Sequence, residues 1–259
     1  MAATTASAFD VYVETNYANQ PNLSSYGIFD LRMIYAQAFW PTGASRVPLP
    51  SRQRVIDAVS GGSANHVIVL DIEHWPLIGS DAQIRTNVSK LRTVLGWAKT
   101  ARPTAYISYY GVIPQGVYWA ALAAPTSGAY REWQRKNNLG QALADEVSAL
   151  YPNFYAVNAN QNDWDIVARA KIHEAQRLGK GKPVYLVINP RYHSQAYDGL
   201  RFAPIPEAAF LRQLRTIKAA GATGVVIWGA DNGNKAWSES LPWWKATKTF
   251  LATPSLATP

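Results

Sequence analysis

Two carboxylates one residue apart, Asp71 and Glu73, close the apolar run His66-Val67-Ile68-Val69-Leu70-Asp71-Ile72-Glu73-His74-Trp75-Pro76. A run this short and β-branched predicts a strand buried on both faces. Side chains alternate along a strand, which sends both acids out of the same face, roughly 7 Å apart along its axis. Neither carboxylate belongs in a dry core unless it is paired or at work. At the carboxyl end of a buried parallel strand, the two stand where barrel enzymes place their catalytic groups. The plainer account is an acid pair satisfied by Arg or by backbone amides.

The flanking sequence alternates strand and helix patterns. Strands are predicted at Phe9 to Glu14, Met33 to Trp40, the acidic run, Tyr106 to Tyr110, Asn153 to Asn158, Pro183 to Asn189 and Gly224 to Gly229. Helices are predicted from the N-cap Ser51 to Val59, stopped by Gly61-Gly62, and from Asp81 as a cap through Ile84, Val88, Leu91, Leu95 and Ala98 to before Pro103. Further helices cover Tyr130 to Leu150, Asp163 to Leu178, Glu207 to Ala220 and Trp243 to Leu251. Strands joined by helical crossovers imply parallel pairing with right-handed connections. The fold class is therefore α/β, a single (β/α)8-type TIM barrel, distorted, with about seven strands. Residues 8–253 form one catalytic domain, and 1–7 and 254–259 are flexible termini.

Composition narrows the function. The chain has 259 residues, 48% of them hydrophobic, enough for one sizeable core. Charged residues make up only 16%, which argues against disorder. The net charge of +8 favours an anionic partner. The basic residues are scattered, however, with no dense run beyond Lys180-Gly181-Lys182, so the expected partner is a polysaccharide rather than a nucleic acid. The 10 Trp, 14 Tyr and 7 Phe supply rings that stack on sugars or fill cores. Cysteine is absent, which excludes disulfides and thiolate metal sites. No apolar stretch of about 18 residues is present to span a membrane. Met1 to Ala8 lack the charged and apolar regions of a signal peptide. A secreted or cell-envelope location is expected for a processed protein, with the cytoplasm not excluded.

Other motifs are missing or bland. No dinucleotide fingerprint, Walker loop or Gly-x-Ser-x-Gly appears. His173-Glu174 lacks the second His of a zinc protease, and no metal or cofactor is expected. Surface ion pairing accounts for Glu174 with Arg169 and Arg177. Arg85, Arg191 and Lys235 are solvated or meet a uronate. Glu14, Asp163, Asp165 and Asp231 sit near strand ends. One of them facing Glu73 would make a conventional two-carboxylate site.

Six ordered segments resemble the hyaluronidases of glycoside hydrolase family 56. They are Phe9 to Val13, Asp71-Ile72-Glu73-His74-Trp75, Tyr109-Tyr110-Gly111-Val112-Ile113-Pro114, Leu150 to Tyr155, Ala168 to Arg177, and Gly221 to Gly229. That family has a distorted barrel. The resemblance implies that Glu73 is the acid and that Asp71 orients the substrate's 2-acetamido group. It also implies that Tyr155 and Trp228 line the acetamido pocket beside Tyr110, with Tyr118 a further match at a spacing one residue longer. The family's disulfides are missing, the chain is shorter and the Arg191-Tyr192 region is loose, as in a distant relative.

The residues support the same chemistry without the family. Ordinary glycosidases hold two carboxyls across the scissile bond, roughly 5 to 9 Å apart. Acids from one strand flank a bond poorly. A substrate-assisted route suits them better: the sugar's N-acetyl carbonyl attacks its own anomeric carbon, Asp71 holds the amide, and Glu73 protonates the leaving oxygen. An ionised Asp71 and apolar walls such as Trp75 or Trp228 would raise the pKa of Glu73 for this task. The expectation is a glycoside hydrolase acting on a 2-acetamido-sugar polymer, hyaluronan-like by charge. Alternatives are a glycosidase with conventional paired acids on another exopolysaccharide or cell-wall glycan, and a non-catalytic sugar-binding barrel.

Overall fold

The computed structural model describes residues 9–46, 48–61, 66–197, 199–229 and 235–253. The predicted flexible termini and Asp231 lie outside the described residues. Among the described residues there are seven strands: β1 (Asp10–Thr15), β2 (Ile28–Phe29), β3 (Arg32–Tyr35), β4 (Val67–Asp71), β5 (Tyr106–Tyr109), β6 (Tyr185–Ile188) and β7 (Gly224–Gly229). Nine helices accompany them among the described residues: α1 (Ala36–Phe39), α2 (Arg52–Ser60), α3 (Asp81–Ala101), α4 (Tyr118–Leu122), α5 (Gly128–Asn138), α6 (Gln141–Glu146), α7 (Gln161–Gly179), α8 (Glu207–Ala219) and α9 (Pro242–Ala252).

All ladders are parallel, in the orders β2-β1-β7-β6 and β3-β4-β5. Leu150 to Asn153 joins the two sheets. Tyr110 bridges Tyr151 on one side, while Leu150 and Asn153 bridge Val184 and Val187 on the other. On the opposite side the chain itself makes the joint, since β2 pairs with β1 and β3 with β4. The result is the expected α/β barrel. Alternation divides it into an outer face, where Val11, Ile34, Ile68, Leu70, Ile107, Leu186 and Ile227 meet the helices, and an inner face. The inner face stacks Met33, Val69, Val187 and Val226 into a dry layer, with Tyr12, Tyr151 and Tyr185 beside it.

Several elements differ from the sequence reading. The second strand stops at Tyr35 because Ala36-Gln37-Ala38, without β-branching, turns into α1. The predicted fifth strand over Asn153 to Asn158 is instead a short bridging segment at 150–153. The helix expected from Tyr130 to Leu150 is two helices, parted at Gly140. A Cβ there would lie 2.7 Å from Ile113 and 3.0 Å from Leu77, so the close approach requires glycine. Helix α3 is capped by Ser80 rather than Asp81, in a reciprocal capping box with Gln83. Asp81 takes the first turn, where both its oxygens accept from Arg135.

Glu174 is not on the surface. Its side chain is fully buried between α5 and α7, where it accepts from Arg177, from Asn137 (3.0 Å) and from Gln134 (3.0 Å). Asn137 in turn accepts from the Gln115 amide, which ties this network to the loop after β5. Replacing Glu174 with Ala would leave buried donors unmet. A loss of about 2 kcal/mol is expected from urea unfolding midpoints, and an unchanged midpoint would remove the network from the stability account.

Candidate active site

Register places the chemistry at one end of the barrel. Glu14 pairs with Trp228 across β1 and β7, and Tyr35 pairs with Asp71 across β3 and β4. These positions follow the dry inner layer toward the carboxyl ends of the strands, where Tyr110 joins them just beyond β5. A cleft of about 370 Å³ opens there, lined by Asp71, Glu73, Tyr110, Tyr155, Trp228 and Arg191 among others.

The ring of polar side chains is ordered by its own hydrogen bonds. The Trp228 indole N–H donates to the Tyr35 hydroxyl at 3.0 Å. The Tyr110 and Tyr155 hydroxyls share a hydrogen bond at 2.6 Å, and Asn153 Nδ2 donates to the Tyr110 hydroxyl at 2.8 Å. The Tyr155 ring stacks on Trp228 with centroids 5.8 Å apart and planes inclined by 6°. Burial holds both hydroxyls protonated, pushing the Tyr110 and Tyr155 pKa values up.

The two acids sit differently from the simple strand picture. Strand β4 ends at Asp71, and Glu73 lies in the following turn, exposed, after the fully buried Ile72. Asp71 is half-buried in the mouth. Burial, reinforced by the charge of Glu73, raises its carboxyl pKa to about 7. Of the pair, it is Asp71 that the strand holds inside, while the turn carries Glu73 out. No hydrogen bond or ion pair to either carboxylate forms among the described residues.

The other candidates separate. Trp75 is core: it is 2% exposed, donates to the Arg46 carbonyl at 2.9 Å, and packs edge-on against Trp40 and His74. It is no wall for Glu73 and does not line the cleft. Tyr118 lies at the start of α4 in an adjoining cavity, against Trp119 and Phe154. Glu14 occupies the mouth level beside Trp228. Burial, with the charge of Asp30, raises its pKa to about 7. Asp165 is taken up by Arg212 and Thr216, and Arg85 pairs loosely with Asp81 at 3.9 Å. Arg191 lines the cleft and donates to the Phe202 carbonyl at 2.9 Å.

Sequence reasoning passed over Tyr35, Asn153, Asn189 and His193, all at the mouth or on the cleft wall. For Tyr35 and Asn189 the signal was available, since each stands at or beside the carboxyl end of a barrel strand. Among the described residues no group of three His, Asp or Glu is arranged to hold a metal.

The fold is that of bee venom hyaluronidase. A monoclinic crystal form of that enzyme matches with a TM-score of 0.65 at 17% identity, over 87% of this chain and 92% of the other. Its complex with a hyaluronic acid tetramer matches with a TM-score of 0.61 at 15% identity, over 94% and 95%. No family model and no curated protein matches the sequence.

The raised carboxyls give a signed prediction. A folded-state pKa above the unfolded value means that the folded protein binds more protons between about pH 4 and pH 7. The contribution of Glu14 and Asp71 to stability is therefore fully present below their unfolded pKa and lost as pH rises through about 7. Glu14→Gln removes one such loss. Its thermal midpoint should exceed that of the unaltered protein at about pH 8, with the gain vanishing near about pH 4. A gain that grows toward acid pH would contradict the placement of Glu14.

Proposed function

We propose that residues 8–253 form one catalytic barrel, a glycoside hydrolase that cleaves a polysaccharide containing 2-acetamido sugars. The observation that carries this reading is the pair of acids, Asp71 and Glu73, without a hydrogen-bond partner among the described residues and lining a cleft walled by Tyr110, Tyr155 and Trp228. The fold shared with an enzyme crystallised with hyaluronic acid supports it. The net charge of +8 supports an anionic polymer of the hyaluronan kind over chitin.

The geometry suggests how the parts act. The stacked faces of Tyr155 and Trp228 form an apolar corner for the acetamido methyl, with Tyr110 beside them. The Tyr110 and Tyr155 hydroxyls share one hydrogen bond, and either can be its donor. With Tyr110 donating, the Tyr155 O–H would be left to donate to the acetamido oxygen. Asp71, at the floor of the cleft, accepts the acetamido N–H and stabilises the charge that develops as the carbonyl oxygen closes on the anomeric carbon. Glu73, on the turn above, protonates the departing oxygen and later takes a proton from water. A sugar laid over the turn covers Glu73, while its amide N–H favours ionised Asp71.

A second reading uses Glu14 as a nucleophile or base, giving conventional paired acids. Its pKa of about 7 at the same level of the barrel favours it. The secreted or envelope location follows from an extracellular polymer as substrate. Among the described residues no helix is long and apolar enough to cross a membrane.

Glu73→Gln should lower kcat on hyaluronan by about a thousandfold with folding intact, the size expected for losing a general acid. Near-full activity in that variant would refute its role, and faster cleavage of neutral chito-oligosaccharides than of hyaluronan would overturn the polymer choice. Asp71→Asn should lose both rate and inhibition by thiazoline analogues of the cyclised intermediate. Insensitivity of the unaltered enzyme to those analogues, with inactivation by Glu14→Gln, would transfer the chemistry to an enzyme nucleophile.

A further inference from the structure

The wall of the cleft on the β6 side carries a side chain that its own backbone disfavours. Past Asn189 the chain doubles back on itself before α8. The Tyr192 amide donates to the Ala203 carbonyl at 3.0 Å, and the Ile205 amide to the Pro190 carbonyl at 2.9 Å. Beyond those rungs the Ala203 amide donates to the Leu200 carbonyl at 2.8 Å, which closes a four-residue turn with Arg201 and Phe202 at its centre. Phe202 takes the third place of that turn with φ at +59°. A turn of this kind asks for glycine there, because a Cβ in the left-handed region crowds the following carbonyl. Three residues earlier the chain does supply glycine for a left-handed position, Gly199 at φ +73°. At 202 it places a phenylalanine.

Burial would be the ordinary reason for such a ring, and this one is not buried. Phe202 is 54% exposed and lines the same cleft as Asp71, Glu73 and Trp228. It meets no other aromatic ring among the described residues. The Arg201 guanidinium lies over one face, 5.3 Å from the ring centre, and leaves the other face uncovered by any ring. Arg191 fixes the turn by donating to the Phe202 carbonyl at 2.9 Å. The ring is therefore held in place, open on one side, on the wall of the cleft.

Neither packing nor turn chemistry accounts for phenylalanine at this point, and a ligand does. Backbone strain that the surrounding structure maintains gathers at binding sites. An exposed, fixed ring in a sugar cleft presents a flat apolar surface to the C–H face of a pyranose. The β6 wall is separated from β4, which carries the acids, by β5 and the 150–153 segment. The doubled-back segment begins at Arg191-Tyr192, where the resemblance to the family 56 hyaluronidases is loose, so the ring belongs to this chain in its own right. Asp198 of the same segment lies outside the described residues, and contact with a C–H face does not depend on its charge.

We propose that Phe202 is a specificity-determining residue of the reaction above: its ring is the platform on which one pyranose ring of the polymer lies, on the wall away from the acid pair. The proposal rests on the polysaccharide reading and deepens it. The platform selects by shape, for a sugar that offers it an apolar face, and is indifferent to charge. The left-handed turn is kept because it aims the ring.

The test compares Phe202→Ala, Phe202→Gly and Phe202→Tyr, each added to Glu73→Gln protein, by calorimetric titration with a hyaluronan hexasaccharide. Ala and Gly remove the ring and should weaken binding about tenfold, whereas Tyr keeps it and should bind within about twofold of Phe. The loss should be the same at low and high salt, since stacking is not screened. The turn is read separately. Glycine adopts the left-handed region freely, so Phe202→Gly should melt about 2 to 4 °C above Phe202→Ala. Unchanged affinity in the Ala and Gly variants would overturn the platform. So would a loss that vanishes at high salt, which would give the contact to the neighbouring guanidinium, or an Ala variant as stable as the Gly one. Cleavage of hyaluronan by the unaltered protein, with affinity independent of the ring, would sink the platform and leave the hydrolase standing. Ring-dependent binding without cleavage of any glycan would do the reverse, and no binding at all would sink both.

Discussion

The structure turns on one carboxyl group held at the end of a strand with no water beneath it. Ile68, Val69 and Leu70 are all fully buried, so β4 delivers Asp71 to the mouth from a dry interior. The layer below, Met33, Val69, Val187 and Val226, offers no polar atom for it to meet. Everything polar at that level must therefore be satisfied sideways or from above. Tyr35 satisfies Trp228, and Asn153 and Tyr155 satisfy Tyr110. Among the described residues the two acids are left without a hydrogen-bond partner, and both line the cleft.

The strands were legible because burial on both faces writes itself as short apolar runs: β4, β5, β6 and β7 fall within the predicted ranges, and β1 runs one residue past its own. What failed was local. Strand β2 is two residues long, below any periodicity. The segment at 150–153 hydrogen-bonds to both sheets through isolated bridges, and only the closure of the barrel selects it. Gly140 breaks a helical pattern because Ile113 and Leu77 press against it, contacts made by residues distant in the chain. Glu174 reads as a surface acid at helical spacing from Arg177. Its burial depends on α5 packing over α7, which no spacing announces.

The acids and rings read from the sequence do meet at one cleft, but the relative depth of the two acids was misjudged. Alternation from Asp71 to Glu73 presumes that the strand continues, but it ends at Asp71, so the two acids differ in depth. Trp75, four residues past β4, returns into the core against Trp40, where an indole has more apolar surface to cover than at the mouth. Trp228 stays at the mouth because the register with Glu14 fixes it on the inner face. Strand position, rather than residue type, decided which tryptophan faces the cleft.

That difference in depth bears on how a pair of like acids divides its labour. Interacting carboxyls titrate as a unit, and the proton rests on whichever is less well solvated. In the free protein that is Asp71, whose pKa burial brings to about 7, while Glu73 stays in water. In the proposed reaction a bound sugar would cover Glu73 and present an N–H to Asp71, so that desolvation would act on the outer acid and hydrogen bonding on the inner one. Acids of equal depth would meet the sugar alike; the stop of β4 at Asp71 and the turn that follows it set the two apart.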